Sequence, residues 1–170
     1  SMKHVGLDVA ADPFMSLAYT GVRAGMVIVT ADDPECFSSQ NEQDNRIYSI
    51  LSGIPMIEPS NPQEAKDYTV LAFEISEKLK LPVILRTTTR ISHCRMNVKL
   101  GEIKSKEYEK RTFKKSMQEL VLLPANARVL HRRLLQKRKE ARRISERFPG
   151  TKVVGKENDI GIISSGAAFN

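Results

Sequence analysis

The chain has 170 residues, 41% hydrophobic and 28% charged, with a formal net charge of +7 and a sequence pI of about 9.5. That length suits one ordinary domain with extensions, and no apolar run approaches the roughly 20 residues of a membrane helix or the basic-then-apolar pattern of a secretory leader. Two distant cysteines, Cys36 and Cys94, exclude a disulfide framework and a C-x-x-C cluster motif, and they suit a reducing, cytoplasmic compartment.

Charge divides the chain. Residues 1–90 carry a net −4 and residues 91–170 a net +11, which together give the overall +7. The basic half is expected to be a separate physical object.

In chain order, residues 8–19 read as a helix, with Pro13 early and Phe14, Leu17 and Ala18 on one side. Gly21 and Gly25 end it and lead into an apolar run at 26–30, a buried strand. The loop at 31–46 follows, with Asp32, Asp33, Glu35, Ser38, Ser39, Gln40, Asn41, Glu42, Gln43 and Asp44. A polar loop at the carboxyl end of a strand is where open α/β sheets place ligands. Such donors and acceptors suit a polar heterocycle or a metal-bound phosphate, and equally a solvated turn.

A second helix is expected at 45–51, ended by Gly53-Ile54-Pro55, and a short apolar stretch at 54–57. Asn61 before Pro62, with Glu64 three residues on, marks the strongest helix start in the chain. Ala65, Tyr68, Ala72, Ile75 and Leu79 supply its packed face, and Leu81-Pro82 stops it. Residues 83–85 form another short apolar run, so strand, helix and strand alternate as in a parallel sheet. The following Arg86-Thr87-Thr88-Thr89-Arg90 should emerge on the same rim as the loop at 31–46.

Residues 99–115 read as a charged linker. A long helix at 124–148 carries Leu130, Leu134, Ala141, Ile144 and Phe148 as a narrow apolar seam. Arg128, Arg132, Arg133, Lys139, Arg142, Arg143 and Arg147 surround it. Residues 159–166 read as a strand and turn that open a further α/β unit. The expected division is therefore 1–93, an α/β domain; 94–158, a basic linker and long helix; and 159–170, the start of another domain.

Four segments carry a resemblance: KHVGLDVAADPFMSLAYTG from Lys3, SSQNEQDNR from Ser38, EPSNPQEAKD from Glu58 and LPVILRTTTRISH from Leu81. In this order they resemble the α subunits of indolepyruvate:ferredoxin oxidoreductases, in the 2-oxo acid:ferredoxin oxidoreductase family. The resemblance implies a fold that is part of a parallel-sheet α/β domain binding the pyrimidine of thiamine diphosphate, followed by a basic helical connector. It implies oxidative decarboxylation of aryl-2-oxo acids such as indolepyruvate, transfer of the acyl group to coenzyme A and electron transfer to ferredoxin. The implied cofactors are thiamine diphosphate with Mg2+ and 4Fe–4S clusters, the clusters outside this chain. The implied partners are a β subunit and ferredoxin, with no membrane.

The family's activating glutamate and phosphate-site turn precede the KHVGL-like motif, so the resemblance implies an internal piece, inactive alone. A sheet cut there exposes an edge, and either a homo-oligomer of the piece or a rearranged C-terminal segment covering that face is expected. The resemblance places Gly6 in a glycine-containing loop beside the thiazolium, with His4 as proton-transfer group or substrate donor, the one catalytic candidate. It lays Ser39, Gln40, Asn41, Glu42, Gln43 and Asp44 over the cofactor ring. Pyruvate-using relatives place an arginine near Asp32 and Asp33, so carboxylate recognition here must come from elsewhere. No metal is expected on this chain, since the family puts the diphosphate and its cation on another domain. His93 and His131 are expected to be structural, and Cys36 a free thiol.

The alternative is a basic module that binds polyanions or acidic proteins. Nucleic acid is disfavoured within it, because the basic stretch lacks interleaved aromatic residues.

Overall fold

The computed structural model describes residues 1–102, 112–155 and 160–169. Four strands, β1 (Met2–Lys3), β2 (Val27–Asp32), β3 (Met56–Ile57) and β4 (Val83–Thr88), form one sheet in the order β1-β2-β4-β3. Every pairing is parallel, as the alternating pattern implied. The central strands β2 and β4 pair from Val27↔Val83 to Asp32↔Thr88. Their amino-terminal halves are apolar because helices cover them, as parallel sheets require.

Both central strands run further than their apolar residues. β2 reaches Asp32 rather than ending at 30, and β4 reaches Thr88 rather than 85. Cross-strand charge accounts for the extension. Arg86 on β4, 4% exposed, donates from Nε to Asp32 Oδ2 at 2.7 Å. Its Nη1 bonds Glu58, just past β3, and Nη2 lies 3.7 Å from Asp44 Oδ1. A buried guanidinium is tolerated only when its donors meet acceptors, and here several carboxylates supply them.

The expected helix at 8–19 is two helices, α1 (His4–Val9) and α2 (Ala11–Thr20), with a break at Ala10. The expected glycine loop at Lys3 to Leu7 is therefore corrected: His4 opens α1 directly from β1. A Cβ at Gly6 would lie 2.8 Å from Met2 Cβ, so the missing side chain lets α1 fold back over β1.

Helix α3 (Arg46–Ser52) falls where expected, and helix α4 (Pro62–Leu79) fills the β3-to-β4 crossover. Asn61 Oδ1 accepts from Glu64 N at 2.9 Å, and Glu64 Oε2 accepts from Ser60 N at 2.8 Å, a reciprocal cap. Tyr68, Ala72, Ile75 and Leu79 are buried against the sheet. The short α5 (Thr89–His93) follows β4 without a loop, and α6 (Met117–Leu120) precedes the long α7 (Pro124–Glu146).

The basic half is not physically separate. Leu130 and Leu134 of α7 are buried, and Leu134, Ala141, Ile144 and Phe148 join the core cluster. Phe148 meets Tyr68 edge-on at 5.1 Å, and His131 stacks on Tyr19 at 5.5 Å. Lys137 Nζ donates at 2.8 Å to the carbonyl of Lys80, the left-handed residue that closes α4. Burial holds the Lys137 amine below its ordinary pKa. The arginines named above and Lys139 stay exposed, so the charge forms the outer face of a docked helix.

Of the charged linker at 99–115, residues 103–111 lie outside the described residues; Lys99 is tied to α4 through its N–H, which donates to Gln63 Oε1 at 2.8 Å. Of the strand expected at 159–166, Asp159 lies outside them as well. Residues 160–165 form no strand, and a 3-10 turn, Gly166–Phe169, follows. An apolar run becomes a strand only where another strand satisfies its backbone, and none pairs with this one among the described residues.

Replacing Leu134 by alanine should lower unfolding stability by about 2–5 kcal/mol, measured by urea denaturation, because α7 belongs to the core. A helix that only connects domains would lose far less. Arg86→Ala should cost about 3–5 kcal/mol, since it strands Asp32 and Glu58 without their buried partner.

Candidate functional site

The carboxyl ends of β1, β2 and β4 meet at one rim, where Asp32 pairs with Thr88 and Lys3 pairs with Ala31. His4 follows Lys3 directly, so the three strands deliver His4, Asp32 and Thr88 to adjacent positions. Asp32 is the last residue of β2 and Asp33 the first of the turn that follows, and the two do different things.

Asp32 turns toward Arg86 and the start of α3. Its Oδ2 also accepts from Asn45 N at 3.0 Å, and Asn45 Nδ2 donates to Thr30 Oγ1 at 2.6 Å. The loop at 31–46 thus returns to the sheet through Asn45, which is fully buried.

Asp33 turns the other way. Its Oδ1 accepts from Thr89 Oγ1 at 2.6 Å, and its Oδ2 accepts from Ser38 N and Ser39 Oγ, each at 2.8 Å, with Lys3 Nζ at 3.4 Å. Thr89 foremost, then the Ser38 amide, hold its carboxyl well below the usual range. Between these anchors the loop makes a tight 3-10 turn, Pro34–Cys36, with Glu35 and Cys36 at positive φ.

Several buried polar atoms on this rim have no partner among the described residues: both His4 ring nitrogens, Asp32 Oδ1, Asn45 Oδ1, Thr88 Oγ1 and, in the loop, Gln43 Oε1. Buried polar groups are almost always hydrogen-bonded, because leaving one unmet costs about 1–3 kcal/mol. Unmet donors and acceptors gathered at the ligand edge of a parallel sheet fit a hydrogen-bonding heterocycle such as an aminopyrimidine.

The expected residues divide. His4 is buried at the rim, and Gln43 presents an unmet oxygen. Ser39 commits its hydroxyl proton to Asp33, and Glu42 accepts from Glu35 N at 2.8 Å. Asn41 accepts from Gln43 Nε2 at 2.9 Å, and Gln40 is exposed. Asp44 is gripped by Arg46, whose guanidinium holds the carboxyl below its ordinary range. Gly6 packs on Met2 inside α1.

Sequence reasoning missed Thr88 and Asn45 as site residues. Asn45 read only as a helix start, and Thr88 only as part of the polar Arg86–Arg90 segment expected on the rim. His93 and both cysteines are exposed. No cluster of metal-binding side chains and no helix long and apolar enough to cross a membrane occurs among the described residues. A cleft of about 1060 Å3 runs along β3 and is lined by residues 150–154 and 160–166 but by neither His4 nor Thr88. We place the site at the rim, because the orphaned polar groups lie there, whereas Ile160, Ile162 and Ile163 beside the cleft remain largely exposed.

Comparison with known proteins gives a consistent picture. A family model described as pyruvate flavodoxin/ferredoxin oxidoreductase, thiamine diphosphate-binding, matches residues 19–149. A protein from Methanothermobacter marburgensis named indolepyruvate oxidoreductase subunit IorA is 54% identical over 99% of this chain and 28% of its own length. Proteins of the same name from Archaeoglobus fulgidus and Pyrococcus horikoshii are 47% and 45% identical, each over 99% of this chain and 27% of their own. No solved structure matches. The chain thus spans little more than a quarter of the curated relatives it resembles. With a parallel sheet, a polar rim and a family match over most of its length, this chain belongs to the pyruvate flavodoxin/ferredoxin oxidoreductase family, in its thiamine diphosphate-binding domain.

Proposed function

We propose that the chain contributes the aminopyrimidine side of a thiamine diphosphate site in an enzyme that oxidatively decarboxylates aryl-2-oxo acids, indolepyruvate among them, and transfers the acyl group to coenzyme A. The single observation that carries this reading is the set of unmet buried polar groups of His4, Asp32, Asn45 and Thr88 at the carboxyl end of the sheet. The relatives' shared name supports the substrate class.

The cofactor, when bound, supplies a nucleophilic thiazolium carbon and an electron sink for loss of carbon dioxide. The chain's own residues hold and orient. His4 offers one ring N–H and one acceptor nitrogen, which suits donation to a ring nitrogen or proton transfer beside it. Asp32 keeps one oxygen fixed on Arg86 and leaves the other as an acceptor for an exocyclic amine. Thr88 can donate or accept, and Gln43 places an acceptor from the loop above. Apolar Leu7 beneath His4 in α1 is fully buried, which keeps water from that side of the rim.

In the complete enzyme, electrons would pass through 4Fe–4S clusters to ferredoxin, a β subunit would complete the assembly, and Mg2+ would accompany the diphosphate. No ligand for a cluster or for that cation is assigned to this chain. The basic outer face of α7 gives the alternative binding-module reading nothing beyond its charge, since the helix is committed to the core.

Thiamine diphosphate affinity, measured by calorimetry on the chain assembled with the rest of the enzyme, should fall about tenfold in His4→Ala and by a similar factor in Thr88→Val, one hydrogen bond each. Unchanged affinity in both variants would remove the rim from the cofactor site. The chain alone, given indolepyruvate, coenzyme A and a viologen, should show no sustained viologen reduction.

A further inference from the structure

Asp32 ends β2 and Asp33 follows it, and their surroundings differ in kind. Asp32 keeps an unmet oxygen at the rim, whereas Asp33, fully buried, has both oxygens bonded to protein donors. A carboxylate offers about four lone-pair positions. Those of Asp33 meet Thr89 Oγ1, Ser38 N, Ser39 Oγ and Lys3 Nζ at 2.6–3.4 Å. Three of these donors meet Oδ2 and one meets Oδ1, so both oxygens are engaged by the protein itself.

The four donors come from separate pieces of chain. Lys3 ends edge strand β1, Ser38 and Ser39 lie in the loop, and Thr89 opens α5 after β4. Lys3 reinforces the arrangement by donating to Ser38 O at 2.8 Å. Between Asp33 and Ser38 the backbone passes through Glu35 and Cys36 at φ 66° and 54°, a conformation costly for side-chain-bearing residues. Such strain persists only where surrounding contacts over-determine it. Asp33 supplies contacts on both sides of the turn, its carbonyl to Cys36 N and its carboxylate to Ser38, while Glu42 holds Glu35 N.

We propose that Asp33 is the positioning residue of the site: its buried carboxylate latches the loop to β1 and α5, and so sets the Gln43 and Asn45 acceptors over the rim. This deepens the thiamine diphosphate reading above and rests on it for the identity of the ligand. Ser39, on this account, serves the latch and not the cofactor. The second anchor of the loop, Asn45 on Asp32 and Thr30, fixes its far end, so the loop is a strap fastened at both ends.

Asp33→Asn keeps the shape but turns one acceptor atom into a donor that faces donors. Thr89→Val removes one strand of the latch at constant size, and Ser39→Ala another, so the test survives if Asp33→Asn does not fold. Hydrogen exchange of the full chain should show the Ser38 amide exchanging about tenfold faster in Asp33→Asn and several-fold faster in Thr89→Val, with α4 unaltered. In the assembled enzyme both variants should raise the KM for thiamine diphosphate with kcat at saturation retained, a split that a general loss of stability would not produce. Unchanged exchange in every folded variant overturns the latch. Faster exchange with unchanged KM overturns its role toward the cofactor. Wild-type enzyme that does not bind thiamine diphosphate would sink the functional reading instead, while the exchange data still judge the latch.

Discussion

A charged side chain sits inside the sheet, and the arrangement of the site follows from how that charge is met. Arg86 could not remain 4% exposed on a central strand unless acceptors reached it from both neighbouring strands. Asp32 does so from β2 at 2.7 Å and Glu58 from the end of β3, in the row where Thr30 pairs with Arg86. Meeting that charge carries β2 and β4 two or three residues past their apolar stretches. It also fixes the direction of Asp32, which in turn receives Asn45 and brings the loop back onto the sheet.

The rim is consequently polar and dry at once. Its charged members neutralise one another, so the remaining unmet groups are mostly neutral donors and acceptors, with the free oxygen of Asp32 the exception. That composition suits a flat heterocycle read by its edge better than a free phosphate, which would call for cations or a row of amides. Two of the rim's arginines are already committed to acids, Arg86 to Asp32 and Glu58 and Arg46 to Asp44.

Much of the local structure was legible in residues. Asn61, Pro62 and Glu64 announced the start of α4, and the apolar runs at 26–30 and 83–85 announced the central strands, because capping chemistry and burial on both faces leave direct marks. The meeting of the loop with the Arg86–Arg90 segment was legible too, since parallel strands must end on one edge. The motif resemblance pointed to the family that the comparisons then showed. Less visible was the break at Ala10, which has no glycine or proline signal and is set by the way α1 folds over Met2. Also hidden was the docking of α7, where a seam as narrow as Leu130, Leu134 and Ile144 was outweighed in the sequence by the arginines around it.

Residue pattern alone was enough to define the pieces: short apolar strands, a capped crossover helix, a basic helix with an apolar seam, and a polar loop after β2. Those follow from periodicity and backbone chemistry, which act over a few residues. Only the tertiary structure decided that Asp32 and Asp33 part company, one toward Arg86 and one toward Lys3, Ser38, Ser39 and Thr89. It likewise decided that the expected strand near Ile160 does not form and that α7 joins the core. The reason is that a buried charge, a strand edge and an apolar seam each take their role from a partner distant in sequence, and local pattern carries no record of which partner folding will supply.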